Sequence, residues 1–303
     1  MHRSAIPRVA LLALIWGSNF LWIKLALRGL SPVEVTFARL VLGAGVLFTA
    51  MLARREAVPR SPVLWVHIVV AALFANAIPY LLFAVGEQHV ASSTAGMLNA
   101  TTPLWTVVIA LSVRHEKSAS LRQVGGLVVG FAGVLLIFQP WETGTGLTSA
   151  GAIECLAASA SYGISYVYMD RYLARRGISP VALSACQLLA ASMVLVIALG
   201  AVGARTPRLD PTTVASILIL GLLGTGVAYV LNYQIITSEG ATIASTVTYL
   251  LPVIAIILGV TVLGEPVTAL IIAGIALVLI GVALTRHSAE NSLRSPDDTS
   301  ANP

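Results

Sequence analysis

Ten apolar runs follow one another along the chain, separated by short polar stretches. They lie near residues 9–27, 33–53, 62–85, 90–113, 120–138, 149–169, 180–200, 212–235, 241–263 and 267–285. Each run has roughly 19–24 residues, enough for a helix to cross about 30 Å of hydrocarbon. None shows the alternation of barrel strands. The pattern predicts an all-α integral membrane protein with ten transmembrane helices.

The composition supports a chain solvated by lipid. Of its 303 residues, 57% are hydrophobic and 10% are charged, against about 45–50% and about 25% in soluble domains. This excludes a soluble enzyme. The net charge of +5 is not gathered in any basic block, so we expect no nucleic-acid partner. No phosphate-binding, zinc-protease or dinucleotide motif occurs, and we expect neither a cofactor nor a metal.

The basic residues are distributed unevenly between the loops. If there are ten spans, most of the 18 Lys and Arg residues fall on the side of both termini. By the positive-inside rule both termini are predicted to be cytoplasmic, in a multi-pass protein of the inner or plasma membrane. The polar tail, residues 286–303, is predicted to be disordered.

The two halves of the chain, residues 7–138 and 149–285, are related by a repeat. At an offset of 149 residues, Pro103 falls on Pro252, and at 148 Ser31-Pro32 falls on Ser179-Pro180. A unit of five spans has odd parity, so the second copy must cross the membrane in the opposite direction. Two inverted five-helix repeats are typical of transporters with a substrate site near the midplane between the halves.

Polar and small residues recur on one face of the fourth span and of its repeat. The two sets are Ser92, Gly96, Asn99 and Pro103, and Ala241, Ser245, Thr248 and Pro252. Each proline frees the carbonyl four residues earlier, and a freed carbonyl at membrane depth needs a partner. We therefore expect Pro103 and Pro252 to kink their helices around a polar cavity faced by Asn99 and Thr248. The alternative is that the small residues only allow close helix packing.

Aromatic and amide side chains near the middle of other spans predict a pocket wall. They are Trp16, Asn19, Asn76, Tyr80, Tyr162, Ser165, Tyr166 and Tyr229. The alternative is an interfacial aromatic belt, which fits less well because Trp16 and Tyr162 lie deep in their spans.

Charged residues within spans are costly and are usually functional. Arg39 could pair with a substrate carboxylate or form a structural bridge, for example to Glu154. Lys24 is expected to snorkel toward the interface. Glu34 completes a capping box in Ser31-Pro32-Val33-Glu34, which indicates a structural role.

Glycines at helical spacing predict close packing of the fifth and tenth spans. Gly126, Gly130 and Gly133 lie on one face, and Gly274 and Gly281 repeat the seven-residue step. This face more readily serves as scaffold, although it could also allow a homodimer.

The chain resembles the ten-helix EamA branch of the drug/metabolite transporter superfamily. The resemblance rests on residues 14–20 (LIWGSNF), Arg39, segments 91–103 and 241–252, Glu116 and Gly264-Glu265. It implies a metabolite exporter, most often for amino acids or related compounds.

We therefore expect a secondary transporter that exports small metabolites by alternating access, with Pro103 and Pro252 at its gates. Export of other metabolites or drugs is an alternative. An intramembrane enzyme would need a nucleophile and a base close together, but Ser165 and His67 are predicted to lie toward opposite sides.

Overall fold

The computed structural model describes most of the chain, and all the regular structure in the described part is helical. The described residues are 5–113, 121–138, 150–173, 176–202, 206–239, 247–248 and 250–293. No β-strand occurs among them. Glu116, Ala241 and Ser245, which carried part of the sequence argument, lie outside these ranges.

The first half contains seven α-helices and one π-helical segment within the described residues. The α-helices are α1 (Ala5–Ala26), α2 (Pro32–Ala53), α3 (Pro62–Ala72), α4 (Ile78–Gly86), α5 (Ser92–Asn99), α6 (Thr102–Ser112) and α7 (Leu121–Phe138). The π-helical segment π1 (Leu73–Ala77) joins α3 to α4.

The described part of the second half contains six α-helices and one further π-helical segment. The α-helices are α8 (Ala150–Tyr172), α9 (Pro180–Val202), α10 (Pro211–Leu218), α11 (Ala228–Glu239), α12 (Leu251–Leu263) and α13 (Ala269–Leu293). The segment π2 (Ile219–Val227) joins α10 to α11. Helix α13 continues beyond residue 285, where the tenth span was predicted to end.

Six stretches of the described helices are long and apolar enough to cross a membrane. They are Pro7–Ala26, Pro32–Ala53, Pro62–Gly86, Ser92–Ser112, Pro180–Ala201 and Pro211–Ile235. The outer surface of the bundle is apolar: Ile197 is 75% exposed, Val63 65% and Leu14 57%. Polar side chains such as Asn76 and Gln187 are fully buried. This inside-out distribution suits lipid as the solvent, and the chain is a multi-span membrane protein.

Proline and capping residues fix the beginnings of several helices. The Ser31 hydroxyl caps α2, and the Glu34 carboxylate accepts hydrogen bonds from the Ser31 N–H and hydroxyl, each at 2.8 Å. The predicted capping box is confirmed. Ser61 and Asp210 cap α3 and α10 in the same way, each just before a proline. Proline suits these positions because the first turn of a helix leaves its N–H groups unpaired.

Helices α7 and α13 approach each other almost to backbone contact. A Cβ added at Gly133 would lie 2.5 Å from the Gly274 carbonyl oxygen, and one at Gly281 would lie 2.5 Å from the Gly126 carbonyl oxygen. The small-residue face identified in the sequence therefore packs within this chain, and it binds the two halves together.

Lys24, which was expected to snorkel toward the interface, reaches one end of the bundle and makes hydrogen bonds there. Its Nζ atom donates hydrogen bonds to the carbonyl oxygens of Glu87 and of Val90, the latter at 2.8 Å. These carbonyls lie in the turn between α4 and α5 and offer Lys24 acceptors inside the protein. The ammonium group therefore ties α1 to this turn.

Candidate functional site

A cavity lies at the centre of the bundle, between helices of the two halves. It contains about 730 Å³ of empty space, including the part that opens to solvent. Ten of the eleven side chains predicted from the sequence to bind substrate line it: Trp16, Asn19, Arg39, Tyr80, Asn99, Tyr162, Ser165, Tyr166, Tyr229 and Thr248. These residues come from both halves of the chain.

Aromatic rings form much of the cavity wall. The rings of Trp16 and Tyr229 meet edge to face with their centroids 6.4 Å apart. Phe83 and Tyr162 stack with centroids 6.0 Å apart, and Phe20 packs edge-on against Phe83 at 5.5 Å. Such pairs hold large side chains in fixed orientations. The wall is thus apolar over most of its area, and its polar groups stand at defined points.

Arg39 brings a positive charge to this wall. It is only 3% exposed, and its guanidinium carbon lies 3.8 Å from the centroid of the Tyr80 ring. Its Nε atom donates a hydrogen bond of 3.1 Å to the Thr225 hydroxyl, which donates in turn to the Leu220 carbonyl oxygen inside π2. A ring face and a hydroxyl are both neutral partners. Two neutral partners therefore orient the guanidinium and leave its charge uncompensated.

The alternative of a structural bridge between Arg39 and Glu154 is not formed. Both residues are described, and no ion pair or hydrogen bond joins them; one carboxyl oxygen of Glu154 is buried without a partner. Within the described residues, Arg39 makes no ion pair with any carboxylate. A buried cation without an anion is costly, so the cavity is suited to an anionic group.

Two amide side chains of the wall have unused hydrogen-bonding capacity. The Asn19 Nδ2 atom donates a long hydrogen bond of 3.4 Å to the Gly224 carbonyl oxygen in π2, while its Oδ1 atom is buried without a partner. The Oδ1 atom of Asn232 is also buried and unpartnered. Buried polar atoms are nearly always satisfied in proteins, and these two carbonyl oxygens can accept hydrogen bonds from an ammonium group.

Asn76 is the predicted residue that does not line the cavity. It lies in π1, and its Nδ2 atom donates a 2.6 Å hydrogen bond to the Tyr229 hydroxyl, which donates to the Ala75 carbonyl oxygen at 2.9 Å. The Gln187 Nε2 atom donates to Asn76 Oδ1 at 2.7 Å, and the Tyr233 hydroxyl donates to Gln187 Oε1 at 2.6 Å. Asn76 therefore positions Tyr229 from behind the wall.

Each of the two prolines predicted to kink a helix lies in the first turn of a helix. Pro103 lies in the first turn of α6, after Ala100 and Thr101 separate it from α5, and Pro252 lies in the first turn of α12. At a first turn the missing N–H removes no intrahelical hydrogen bond. Asn99 and Thr248 precede these new helices and both line the cavity.

Several lining residues were absent from the predicted set. They are Phe20, Ile23, Ala75, Phe83, Thr102, Met169, Asn232 and Leu251. Asn232 does carry a signal in the sequence, since it is an amide one helical turn after Tyr229 on α11. Thr102 could have been found in the same way, because it follows Asn99 by three residues and its hydroxyl donates to Asn99 Oδ1 at 3.3 Å.

The chain is similar over most of its length to proteins named transporters. An uncharacterized transporter of Archaeoglobus fulgidus is 26% identical over 91% of this chain and 95% of its own. The uncharacterized inner membrane transporter YedA of Escherichia coli is 28% identical over 90% of this chain and 87% of its own. The S-adenosylmethionine/S-adenosylhomocysteine transporter of Chlamydia trachomatis is 26% identical over 93% of this chain and 89% of its own.

A solved crystal structure shares the fold. It superposes with a TM-score of 0.68 over 97% of this chain and all of its own, at 19% sequence identity. The model of the EamA-like transporter family matches the chain twice, over residues 3–139 and 149–286. The two matches together cover nearly all of the sequence, so the chain belongs to the EamA-like transporter family.

Proposed function

We propose that this protein is a secondary transporter that exports small zwitterionic metabolites, amino acids or related compounds, across the inner or plasma membrane. The observation that carries the proposal is Arg39, a buried cation at the wall of a central cavity with no anionic partner among the described residues. A carboxylate on the substrate would supply that partner in a paired geometry that arginine favours.

The opposite charge of a zwitterion also finds a match. The unpartnered amide oxygens of Asn19 and Asn232 belong to the same wall, and they are acceptors for an ammonium group. The aromatic rings would cover the apolar part of the substrate. A cavity that has a cation and neutral acceptors but no ion-paired carboxylate favours zwitterions over simple cations.

The relative named for S-adenosylmethionine and S-adenosylhomocysteine suggests a second substrate within this class. S-adenosylhomocysteine is a zwitterion that carries an amino-acid group together with a flat adenine ring. The rings of Trp16, Tyr162 and Tyr229 offer faces and edges for such a ring to contact. We therefore include it with the amino acids as a candidate cargo.

We infer that the chain crosses the membrane ten times, as two inverted five-helix repeats with both termini in the cytoplasm. Several observations support this arrangement. The family model matches both halves, π1 and π2 occupy equivalent places, and capped prolines recur at Pro32 and Pro180 and at Pro62 and Pro211. Helices at equivalent positions also pack against each other, as α2 does with α9 and α7 with α13.

In this arrangement the halves would rock about the central cavity and expose it to each side in turn. The helix break before Pro103 and the start of a new helix at Pro252 would allow the segments around them to move as gates. A homodimer is not required, because the glycine face that could have formed one is occupied within the chain. The proposal assigns no catalytic residue.

The test is solute flux with the purified full-length protein in liposomes. Amino acids, S-adenosylhomocysteine and uncharged analogues are screened with and without a pH gradient. We expect movement of carboxylated zwitterions without any chemical change to them. Flux of neutral solutes alone would overturn the assignment of substrate class, and formation of a product would overturn the assignment as a transporter.

A further inference from the structure

Glu87 is a carboxyl group buried at one end of the bundle. It follows the last residue of the span Pro62–Gly86, and none of its surface is exposed. Both of its carboxyl oxygens are buried, and neither has a hydrogen-bond partner. An ionised carboxylate in such a place would lack both water and donors, so the group favours its neutral, protonated form.

Charged side chains on three other elements act electrostatically on Glu87. Lys24 on α1 and Arg39 on α2 favour the ionised carboxyl, whereas Glu265, between α12 and α13, opposes it. Burial outweighs these interactions and raises the pKa of Glu87 well above its ordinary value. Arg28, Lys24, Glu87 and Glu265 all line a second, outer cavity, which lies at this end of the bundle and opens to solvent.

Helix α8 presents two further titratable groups to this region. A Cβ added at Gly86, the residue before Glu87, would lie 2.7 Å from the Cys155 sulfur. Cys155 is fully buried, and Glu154 precedes it on the helix. Neither group donates a hydrogen bond to the Glu87 carboxyl, so α8 adds no compensation for a negative charge there.

We call the end of the bundle that carries Lys24, Glu87 and Glu265 the Lys24 end. There, hydrogen bonds from two other elements hold the segment from Glu87 to Ser93 in place. Lys24 binds the carbonyl oxygens of Glu87 and Val90. The Glu265 carboxylate, from the second half of the chain, accepts hydrogen bonds from the N–H groups of Ser92 at 2.7 Å and Ser93 at 2.9 Å. A carboxylate stabilises the start of a helix through its unpaired N–H groups and its dipole. The two halves are therefore joined across this end.

Two aromatic rings, of Phe20 and Phe83, lie between the Lys24 end and the central cavity. Phe20 lies one helical turn before Lys24, and Phe83 one turn before Glu87. These rings pack edge to face and both line the central cavity. Movement of a solute out through the Lys24 end would require the rings, and the hydrogen bonds above them, to separate.

Glu87 also borders an outer cavity. That cavity holds about 800 Å³ of empty space including its open part, and its lining includes Lys24, Glu87, Gln88, Leu263 and Glu265. Gln88 is exposed. Opening of the Lys24 end would therefore connect Glu87 with bulk water on this side, without crossing the central cavity.

We propose that Glu87 is a proton-binding site that takes up one proton as the Lys24 end closes and releases it to water when that end opens. Opening rests on the proposed transport cycle, because only a carrier needs to part the contacts between Glu265 and α5. When they part, water reaches the carboxyl group and its O–H bond breaks, giving a proton to the solvent. The carboxylate left behind then faces Lys24 as a counter-ion.

The sign of the pH dependence follows from linkage. The pKa of Glu87 is raised when the end is closed, so the closed state binds more protons than the open state. The free energy by which protonation favours the closed state is complete below the ordinary glutamate pKa of about 4.3. It is lost as the pH rises through the raised pKa of Glu87. Alkaline conditions should thus favour opening.

Infrared spectroscopy tests the site directly, with no substrate. The full-length protein in phosphatidylcholine vesicles is compared with Glu87→Gln, an uncharged variant of nearly the same shape. We expect the carbonyl stretch of a protonated carboxylic acid at neutral pH, lost in Glu87→Gln and kept in Glu56→Gln, the matched change at another loop. Lys24→Met should move the disappearance of this band to higher pH. Only carboxylate bands at neutral pH would overturn the proposal.

Cysteine labelling tests the coupling to opening. Ser92→Cys keeps the backbone hydrogen bond to Glu265, and both native cysteines are buried. At each pH, the labelling rate of Ser92→Cys is divided by the rate of the double variant Ser92→Cys, Glu87→Gln. The ratio removes the pH dependence of thiol ionisation, which both proteins share. We expect this ratio to rise with pH by up to roughly tenfold per unit, and a flat ratio would overturn the proposal. Neither measurement needs a solute, so a missing flux would count against the transport function alone.

Discussion

The guanidinium group of Arg39 lies over the Tyr80 ring, with its carbon 3.8 Å from the ring centroid. The two residues come from α2 and α4, and both line the central cavity. The ring holds the cation in place without neutralising it. This pair therefore presents a fixed, unpaired positive charge to whatever enters the cavity.

Arg39→Gln should weaken transport of carboxylated substrates about 10- to 100-fold, because a hydrogen bond to a charged group contributes about 1.5–3 kcal/mol. Uncharged analogues should lose far less. Liposome flux of both kinds of solute measures the difference, with Arg208→Gln, an exposed arginine, as control. An equal loss for both kinds of solute would indicate a structural role instead.

Asn99→Leu should abolish transport while leaving folded protein in the membrane. The change puts an apolar side chain where a buried amide borders the cavity, and it removes the acceptor of the Thr102 hydroxyl. Flux and elution as a single folded species in detergent are the two measurements. Ser112→Leu, at the exposed end of α6, is the control and should retain flux. Normal flux through Asn99→Leu would contradict the cavity as substrate site.

Gln187→Leu should lower the free energy of unfolding by about 1–3 kcal/mol, because it leaves the buried Asn76 Oδ1 atom without its donor. Tyr233→Phe removes the other hydrogen bond of Gln187. A double-mutant cycle in thermal unfolding should show that the two losses are not additive. Ser192→Ala, on the same helix, is expected to cost less. Additive losses would mean that the network does not act as a unit.

Gly281→Ala should destabilise the protein by about 1–3 kcal/mol, because the added methyl group would overlap the α7 backbone at Gly126 and Gly130. Gly125→Ala offers a matched control, since a Cβ there has no atom within 4 Å. It should be neutral or stabilising by up to about 1 kcal/mol. The melting temperatures of the two variants check this, and equal melting temperatures would sink the close-packing argument.

A reporter domain fused after Arg286 should lie in the cytoplasm. The expectation follows from ten spans and from the basic residues gathered in loops on the side of the termini. Protease protection in sealed vesicles of known orientation gives the measurement. Detection of the reporter on the external side would mean that the number of spans is wrong.

Local patterns were a good guide where the interacting residues are close in sequence. The capping box of Ser31 and Glu34 needs only three residues of spacing, and it is present. The cavity-lining residues were found because helical spacing and the repeat place them on corresponding faces. Asn99, Thr248, Tyr80 and Tyr229 all belong to such matched pairs, and all line the cavity.

Contacts between distant elements left no readable signal in the sequence. Lys24 was expected to snorkel because it lies near the end of its span, but the sequence did not show its acceptors, which lie 63 and 66 residues away. Gln187 and Tyr233 join Asn76 through hydrogen bonds among three elements. The sequence of any one of these elements does not show which other elements it contacts. The unpartnered carboxyl of Glu87 is visible only after folding, because its surroundings are contributed by separate helices.

The near-contact of α7 and α13 limits how the two halves could move. Their glycines interlock backbone against backbone, so sliding along this seam would drive Gly281 into Gly130. In the proposed transport cycle the seam would stay closed and act as a pivot. The halves would then separate at their other contacts, such as that between α2 and α9.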